Sequence, residues 1–315
     1  MHPDFPQLPV SAIAAEVNAS LKVTPRLVVT APPGSGKSTL LPLTILEDLP
    51  LGKLVMLEPR RAAARQIAMR MAQMLGEKPG ETVGYRMRFE SKVSAATRIE
   101  VVTEGVMERM LIDDPTLDGV AVVIFDEFHE RSLTADLTLA LTREAQNVLR
   151  PDLGIVVMSA TMDADTLCRA LDAPLIEAQG KLYDVSVING DDADISDCVP
   201  AVLSAVRKAY REQPGNILVF LPGAGEIAAC ADALGDLCDT VVMPLHGMLP
   251  PAEQYRAIEY NPEGKRKIVL ATPVAETSLT IEGIRTVVDS GLCRAVRYDP
   301  STGLSRLVTE RISLD

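Results

Sequence analysis

The stretch Ala31-Pro-Pro-Gly34-Ser35-Gly36-Lys37-Ser38-Thr39 is composed to hold an anion. Glycines let successive backbone N–H groups turn inward around phosphate oxygens, where a side chain would stand in the way. A helix opening directly behind such a loop adds the partial positive charge of its N-terminus. Lys37 can reach outer phosphates as a mobile point charge, and the Ser38 hydroxyl can ligate magnesium. Loops of this kind usually open on glycine; Ala31 stands there, while Gly34 and Gly36 still bracket the turn. A second stretch, Asp126-Glu127-Phe128-His129, supplies what the first lacks. Asp126 can hold the magnesium directly or through water. Glu127 can orient or deprotonate an attacking water, with His129 at the rim. Together the two stretches imply a nucleoside triphosphatase with a magnesium ion. Gly34, Ser35, Gly36, Lys37, Ser38 and Thr39 are expected on the phosphates, Ser38 and Asp126 on the metal, and Asp126, Glu127 and His129 in the hydrolysis. Taken singly, the first stretch also fits an ordinary strand-to-helix loop and the second an acidic helix start. Their pairing favours the chemistry.

Both stretches follow apolar runs, Leu27-Val28-Val29 and Val120 to Phe125. Such runs alternate with helical patterns along the chain, which predicts parallel α/β layers. Lys53 to Leu57 precedes a helical pattern from Arg61 to Leu75. Ile99 to Val102 precedes Val106 to Ile112, Val120 to Phe125 precedes Leu133 to Leu149, and Gly154 to Met158 follows. The acidic, turn-rich Asn189 to Asp194 marks a new start. A second series has strand candidates at Ile217–Leu221, Thr240–Met243, Lys267–Ala271 and Thr286–Val288. The pattern from Leu292 to Ile312 predicts a hairpin turning at Pro300 to Gly303. The expected division is residues 1–178 and 179–315.

A length of 315 residues is suited to about two domains, and 47% apolar residues can fill two cores. No apolar run reaches the length of a membrane span. The first residues lack the basic and apolar regions of a secretory signal. The five cysteines form no C-x-x-C pair, so neither a disulfide framework nor a zinc site is expected, and a reducing, cytoplasmic setting is. A net charge of −12 opposes a broad nucleic-acid footprint but allows a local basic groove. Tryptophan is absent and aromatics are 3%, so any nucleic acid is expected to be held by its backbone rather than by base stacking.

With these segments in order, the chain resembles the DEAH-box helicases of superfamily 2, and among them the bacterial HrpB type. Asp126-Glu-Phe-His-Glu-Arg-Ser132 carries much of the match, with Leu57-Glu-Pro-Arg-Arg-Ala62, Val83-Gly-Tyr-Arg-Met-Arg88, Val102-Thr-Glu-Gly105, Met158-Ser-Ala-Thr161, Phe220-Leu-Pro-Gly223 and Ala275-Glu-Thr-Ser-Leu-Thr-Ile281. The resemblance implies two tandem RecA-like P-loop domains of parallel sheets flanked by helices. It implies ATP and magnesium as cofactors and 3′-to-5′ movement on single-stranded RNA, with DNA as the alternative strand and no membrane. By the same resemblance Arg60, Arg61, Thr103, Gly105 and Thr272 contact nucleic acid. Ser159 and Thr161 couple that contact to hydrolysis, and Glu276, Thr277 and Ser278 report the nucleotide state.

The residue types suit these roles without deciding them. Arg60 and Arg61 can fork onto phosphate or stand solvated. Ser159 and Thr161 can equally cap a helix, Thr272 can end a strand, and His246 reads as structural. Arg86 and Arg88 alternate and so face one way, toward RNA or toward solvent. Phe128 replaces the alanine of the family name, and Pro273, which lacks a backbone donor, stands where an asparagine is usual. The family's Gln-x-x-Gly-Arg-x-Gly-Arg motif does not occur in residues 1–315. The expectation that follows is a second domain incomplete at its C-terminus and impaired motor activity. The alternatives are a nucleotide-dependent nucleic-acid-binding module without motor activity and a DNA translocase.

Overall fold

Strands buried on both faces read as continuous apolar runs, and most of the expected strands do so here. The computed structural model describes residues 5–49, 51–160, 164–179, 184–190, 194–235, 237, 239–258, 264–273, 281 and 283–312. It divides into two units, Met1–Asp184 and Val185–Asp315.

In the first unit, the elements in chain order are α1 (Ala14–Val23), β1 (Arg26–Thr30), α2 (Leu40–Asp48), β2 (Lys53–Leu57), α3 (Arg61–Met74), β3 (Val83–Met87), β4 (Glu90–Lys92), β5 (Ile99–Val102), α4 (Glu104–Asp113), β6 (Val120–Phe125), α5 (Leu133–Val148), β7 (Gly154–Ser159), α6 (Ala164–Leu171) and β8 (Leu175–Glu177). The strands form one sheet in the order β4-β3-β5-β2-β6-β7-β1-β8. All neighbours are parallel except the β3–β4 pair. Parallel pairing brings the carboxyl ends of β2, β6, β7 and β1 to one edge, side by side. Loops leaving that edge are where open α/β sheets bind ligands. Helix α3 packs on β3 and β5, α1 on β1 and α2, and α4 on α5. Phe125 lies fully buried at the end of β6, with the Phe128 ring edge-to-face at 6.3 Å.

In the second unit, α7 (Cys198–Glu212), β9 (Asn216–Phe220), α8 (Ala224–Leu234), β10 (Thr240–Leu245), α9 (Pro251–Ile258), β11 (Arg266–Ala271) and β12 (Ile284–Asp289) follow in order. Their strands make a parallel sheet, β10-β11-β9-β12. Lys267, within β11, is 1% exposed and donates to the Ala257 and Ile258 carbonyls at the end of α9. The sequence there reads as a plain strand; burial turns its lysine into a helix cap. The expected hairpin is present as β13 (Leu292–Asp299) and β14 (Leu304–Arg311), paired antiparallel from Leu292↔Arg311 to Asp299↔Leu304. Asp299 closes its turn by accepting from the Ser301 and Gly303 N–H groups.

Candidate active site

The loop after β1 is shaped by Gly34 (φ +73°) and Gly36 (φ +92°). At Gly36 the constraint is double. A Cβ there would meet the Leu8 Cδ1 at 2.7 Å and the Val10 Cγ2 at 3.2 Å. The Val10 N–H also donates to the Ser35 carbonyl at 3.2 Å. The N-terminal segment thus buttresses the loop from behind. Helix α2 opens at Leu40, one turn later than a loop of this kind suggests, because the Gly36 carbonyl takes the Thr39, Leu40 and Leu41 N–H groups together. The Ala31 N–H donates to the Ser159 carbonyl, which ties the start of the loop to the end of β7.

Lys37 is 5% exposed, and its Nζ donates to Glu127 Oε1 at 2.8 Å. Burial draws the lysine pKa down, but Asp126, Glu127 and Glu58 outweigh it, and the group stays above its ordinary value. Asp126 is 1% exposed; its Oδ1 accepts the Glu127 N–H at 2.9 Å, and its Oδ2 accepts no hydrogen bond. Burial raises the Asp126 pKa to about 6, with Lys37 opposing and Glu127 adding to the rise. The Ser38 hydroxyl stands beside Asp126 and favours its ionised form. A buried carboxylate oxygen without a donor, next to a hydroxyl oxygen, is a donor set suited to a hard divalent cation, so these residues fit magnesium. Glu127 adopts a left-handed backbone (φ 47°, ψ 37°) and is buried, with Oε2 3.3 Å from the His129 Nδ1. The turn Phe128–Glu130 closes through the Glu130 N–H on the Glu127 carbonyl at 2.9 Å, and Arg131 (φ 48°) ends it. Ser132 then caps α5 by accepting from the Ala135 N–H and donates to Glu104 at the start of α4.

The structure therefore brings Lys37, Ser38, Asp126, Glu127 and His129 together. Ser159 ends β7, fully buried, with its hydroxyl unpartnered. Arg60 turns its Nε to Glu130 Oε2 at 3.2 Å, and its N–H is held by Glu58 Oε1. Arg61 opens α3 and donates to the Arg88 carbonyl. Thr103, 8% exposed, supplies its carbonyl to the first turn of α4. Thr103 and Gly105 line a cavity of about 710 Å³ with Arg86, Arg88 and Arg109; Arg60 and Arg61 do not line it. Arg86 and Arg88 thus share a face, but Arg88 lies just past β3, and Arg86 is paired to the buried Glu100 at 3.0 Å. In the second unit Thr272, just past β11, donates its N–H to the Leu245 carbonyl at the end of β10. Thr161, Glu276, Thr277 and Ser278 lie outside the described residues.

Two family models match the chain, DEAD/DEAH box helicase over residues 11–169 and Helicase conserved C-terminal domain over residues 200–306. The chain belongs to the DEAD/DEAH box helicases. It is similar to the ATP-dependent RNA helicase HrpB of Escherichia coli, 48% identical over 97% of this chain and 38% of that protein. The human ATP-dependent RNA helicase DHX33 is 35% identical over 97% of this chain and 46% of its own length. A crystal structure of the Escherichia coli DEAH/RHA helicase HrpB superposes with a TM-score of 0.88, covering 98% of this chain and 40% of that one. The chain thus spans less than half the length of these relatives. The expected resemblance and the expected architecture of tandem parallel α/β domains are both borne out.

For a DEAD/DEAH box helicase chain, sequence reasoning missed the parts played by four residues. Glu58 is fully buried and its Oε2 accepts no hydrogen bond. Burial, then the nearby Asp126, hold its pKa well above the ordinary value. Its signals were an acidic residue at the end of an apolar strand and its place in the Leu57-Glu-Pro-Arg-Arg-Ala62 motif, and neither assigned it a role. Leu8 and Val10 act by packing, and their sequence carries no such signal. Glu130 was read only as part of a motif, although it holds Arg60.

Proposed function

We propose that this chain is the ATP-hydrolysing core of an RNA helicase, moving 3′ to 5′ along single-stranded RNA. The observation that carries the reading is the buried cluster of Lys37, Asp126 and Glu127 at the carboxyl ends of β1 and β6, with the half-buried Ser38 beside it. Gly34 to Thr39 wrap the triphosphate, whose oxygens replace the Pro32 carbonyl on the Ser35 N–H and the Gly36 carbonyl on the Thr39 N–H, and Lys37 supplies charge to its outer oxygens. Ser38 and Asp126 would hold magnesium, which would supply positive charge against the phosphates. Glu127 orients the attacking water and takes its proton, with His129 beside it. To do so, Glu127 must first release Lys37, because one carboxylate oxygen now accepts from that ammonium. Arg60, Arg61, Thr103 and Gly105 hold the strand by its backbone, joined by Thr272. Ser159 and Thr161 link strand and hydrolysis, and Glu276, Thr277 and Ser278 sense the nucleotide. The names of the relatives support RNA as the strand. No described helix is long and apolar enough to cross a membrane, and the free thiols of Cys168, Cys198, Cys230 and Cys293 suit a reducing, cytoplasmic setting.

Calorimetry of ATP·Mg2+ on the unaltered chain and on Lys37→Ala tests the nucleotide site. Binding is expected for the first and its loss for the second. Magnesium-dependent phosphate release is expected to fall about 10²- to 10⁴-fold in Glu127→Gln while ATP still binds. ATP binding indifferent to both magnesium and Lys37 overturns the reading.

A further inference from the structure

We propose that Glu130 is an internal stand-in for a nucleic-acid phosphate. It occupies Arg60 until a strand takes that guanidinium, and the exchange loosens the turn that carries Glu127. The proposal rests on the reading above that Arg60 meets the strand backbone.

Arg60 follows β2 and Glu130 follows β6, whose ends pair at Leu57↔Phe125. Neighbouring strands thus bring together residues 70 positions apart in the chain. The ion pair measures 3.2 Å, and the two side chains are 25% and 20% exposed. A ligand arriving from solvent can therefore compete for it. A guanidinium forks onto carboxylate and phosphate with the same geometry, so replacing one by the other preserves the interaction. The Glu58 carboxylate fixes the Arg60 backbone N–H, so the group that an arriving phosphate would meet is the guanidinium paired with Glu130.

The other end of Glu130 explains why that exchange matters. Its N–H closes the Phe128–Glu130 turn on the Glu127 carbonyl. Two non-glycine residues in the left-handed region, Glu127 and Arg131, bound that turn. Such backbone persists only where its surroundings hold it. Among its holds are the Phe128 ring in the core, Arg131 on Asp136 at 2.9 Å, Lys37 on Glu127 and Arg60 on Glu130. Phosphate competes for Lys37 at one end of the turn and for Arg60 at the other. Nucleotide and nucleic acid therefore act on the same short segment, at its two ends.

The test is a double-mutant cycle of single-stranded RNA affinity at fixed low salt, by fluorescence anisotropy. Glu130→Gln keeps the shape and removes the competing charge; binding is expected to tighten roughly two- to fivefold, the range of a part-exposed ion pair. Arg60→Ala is expected to weaken binding and to lower the salt slope by about one counterion. In the Arg60→Ala background, Glu130→Gln is expected to change nothing. Glu144→Gln, which removes an exposed charge elsewhere on the first unit, controls for general repulsion and is expected to tighten binding less. Amide exchange at Glu130 is expected to speed up when RNA binds the unaltered chain. The proposal falls alone if RNA binds but Glu130→Gln leaves the affinity unchanged, or tightens it equally without Arg60, or if RNA leaves that amide equally protected. It falls with its underlying reading if the unaltered chain binds no RNA, or if Arg60→Ala binds as tightly.

Discussion

Replacing Lys37 by methionine removes the one described ammonium that faces Glu127, Asp126 and Glu58 at close quarters. Lys37 and Glu127 are 2.8 Å apart with side chains 6% exposed, so the remaining carboxylate is left buried without its partner. Breaking such a pair from one side costs about 3–5 kcal/mol. Proton uptake sets a ceiling on that cost. An ordinary glutamate at pH 7.5 takes a proton at about 4 kcal/mol, and at pH 5.5 at less than about 2 kcal/mol. Lys37→Met is therefore expected to destabilise the first unit by about 3–4 kcal/mol at pH 7.5, and by under about 2 kcal/mol at pH 5.5. Glu127→Gln added to it is expected to restore at least about 2 kcal/mol at pH 7.5, the signature of a coupled pair. The assay is urea unfolding followed by amide exchange of the β6 peptide, which reports the first unit without interference from the second. A loss below about 1 kcal/mol at pH 7.5, or additivity of the two substitutions, would refute the claim that the cluster is held by this buried pair.

Asp126 gives a second pH dependence, of opposite use. Its folded pKa of about 6 lies above the ordinary 3.8, so the folded state holds the extra proton between these values and stability falls as pH rises through that window. Asp126→Asn is expected to remove that slope and to stabilise the chain at pH 7.5 by up to about 3 kcal/mol, while magnesium-dependent nucleotide binding is lost; denaturant titration across pH 4–7.5 checks it. Gly36→Ala is expected to weaken nucleotide binding and cost about 1–3 kcal/mol, and Leu8→Ala to recover only the part due to the clash, since the positive φ remains. Thermal melts and ATP titrations of the single and double variants measure both. Phe128→Ala, which installs the residue of the family name, is expected to cost about 3–5 kcal/mol in an unfolding titration because it opens a cavity against Phe125.

Much of the fold was legible because its signals are local. Apolar runs marked β1, β2, β6 and β7, and a run interrupted by Glu100 marked β5, all buried on both faces, and turn residues marked the β13–β14 hairpin. Strand β4 and the β3–β4 pairing escaped, because three polar residues without alternation carry no periodic signal. Gly84 permits that pairing: a Cβ there would lie 2.3 Å from the Lys92 carbonyl oxygen. The phosphate loop and the carboxylate pair were legible because their chemistry is written in adjacent residues. The partner of Arg60 was not, since it depends on which strand lies next to β2.

The sequence by itself determined the chemical types at the site: a lysine and serine directly behind a two-glycine turn, an aspartate–glutamate pair, and the apolar strands that deliver them. Only the tertiary structure decided their state. Strand order set Lys37 against Glu127 and Arg60 against Glu130, and packing buried Glu58 and Asp126 deeply enough to lift their proton affinity. Both outcomes arise from contacts across the sheet, and a charge's worth depends on the water removed around it, which no local run of residues specifies.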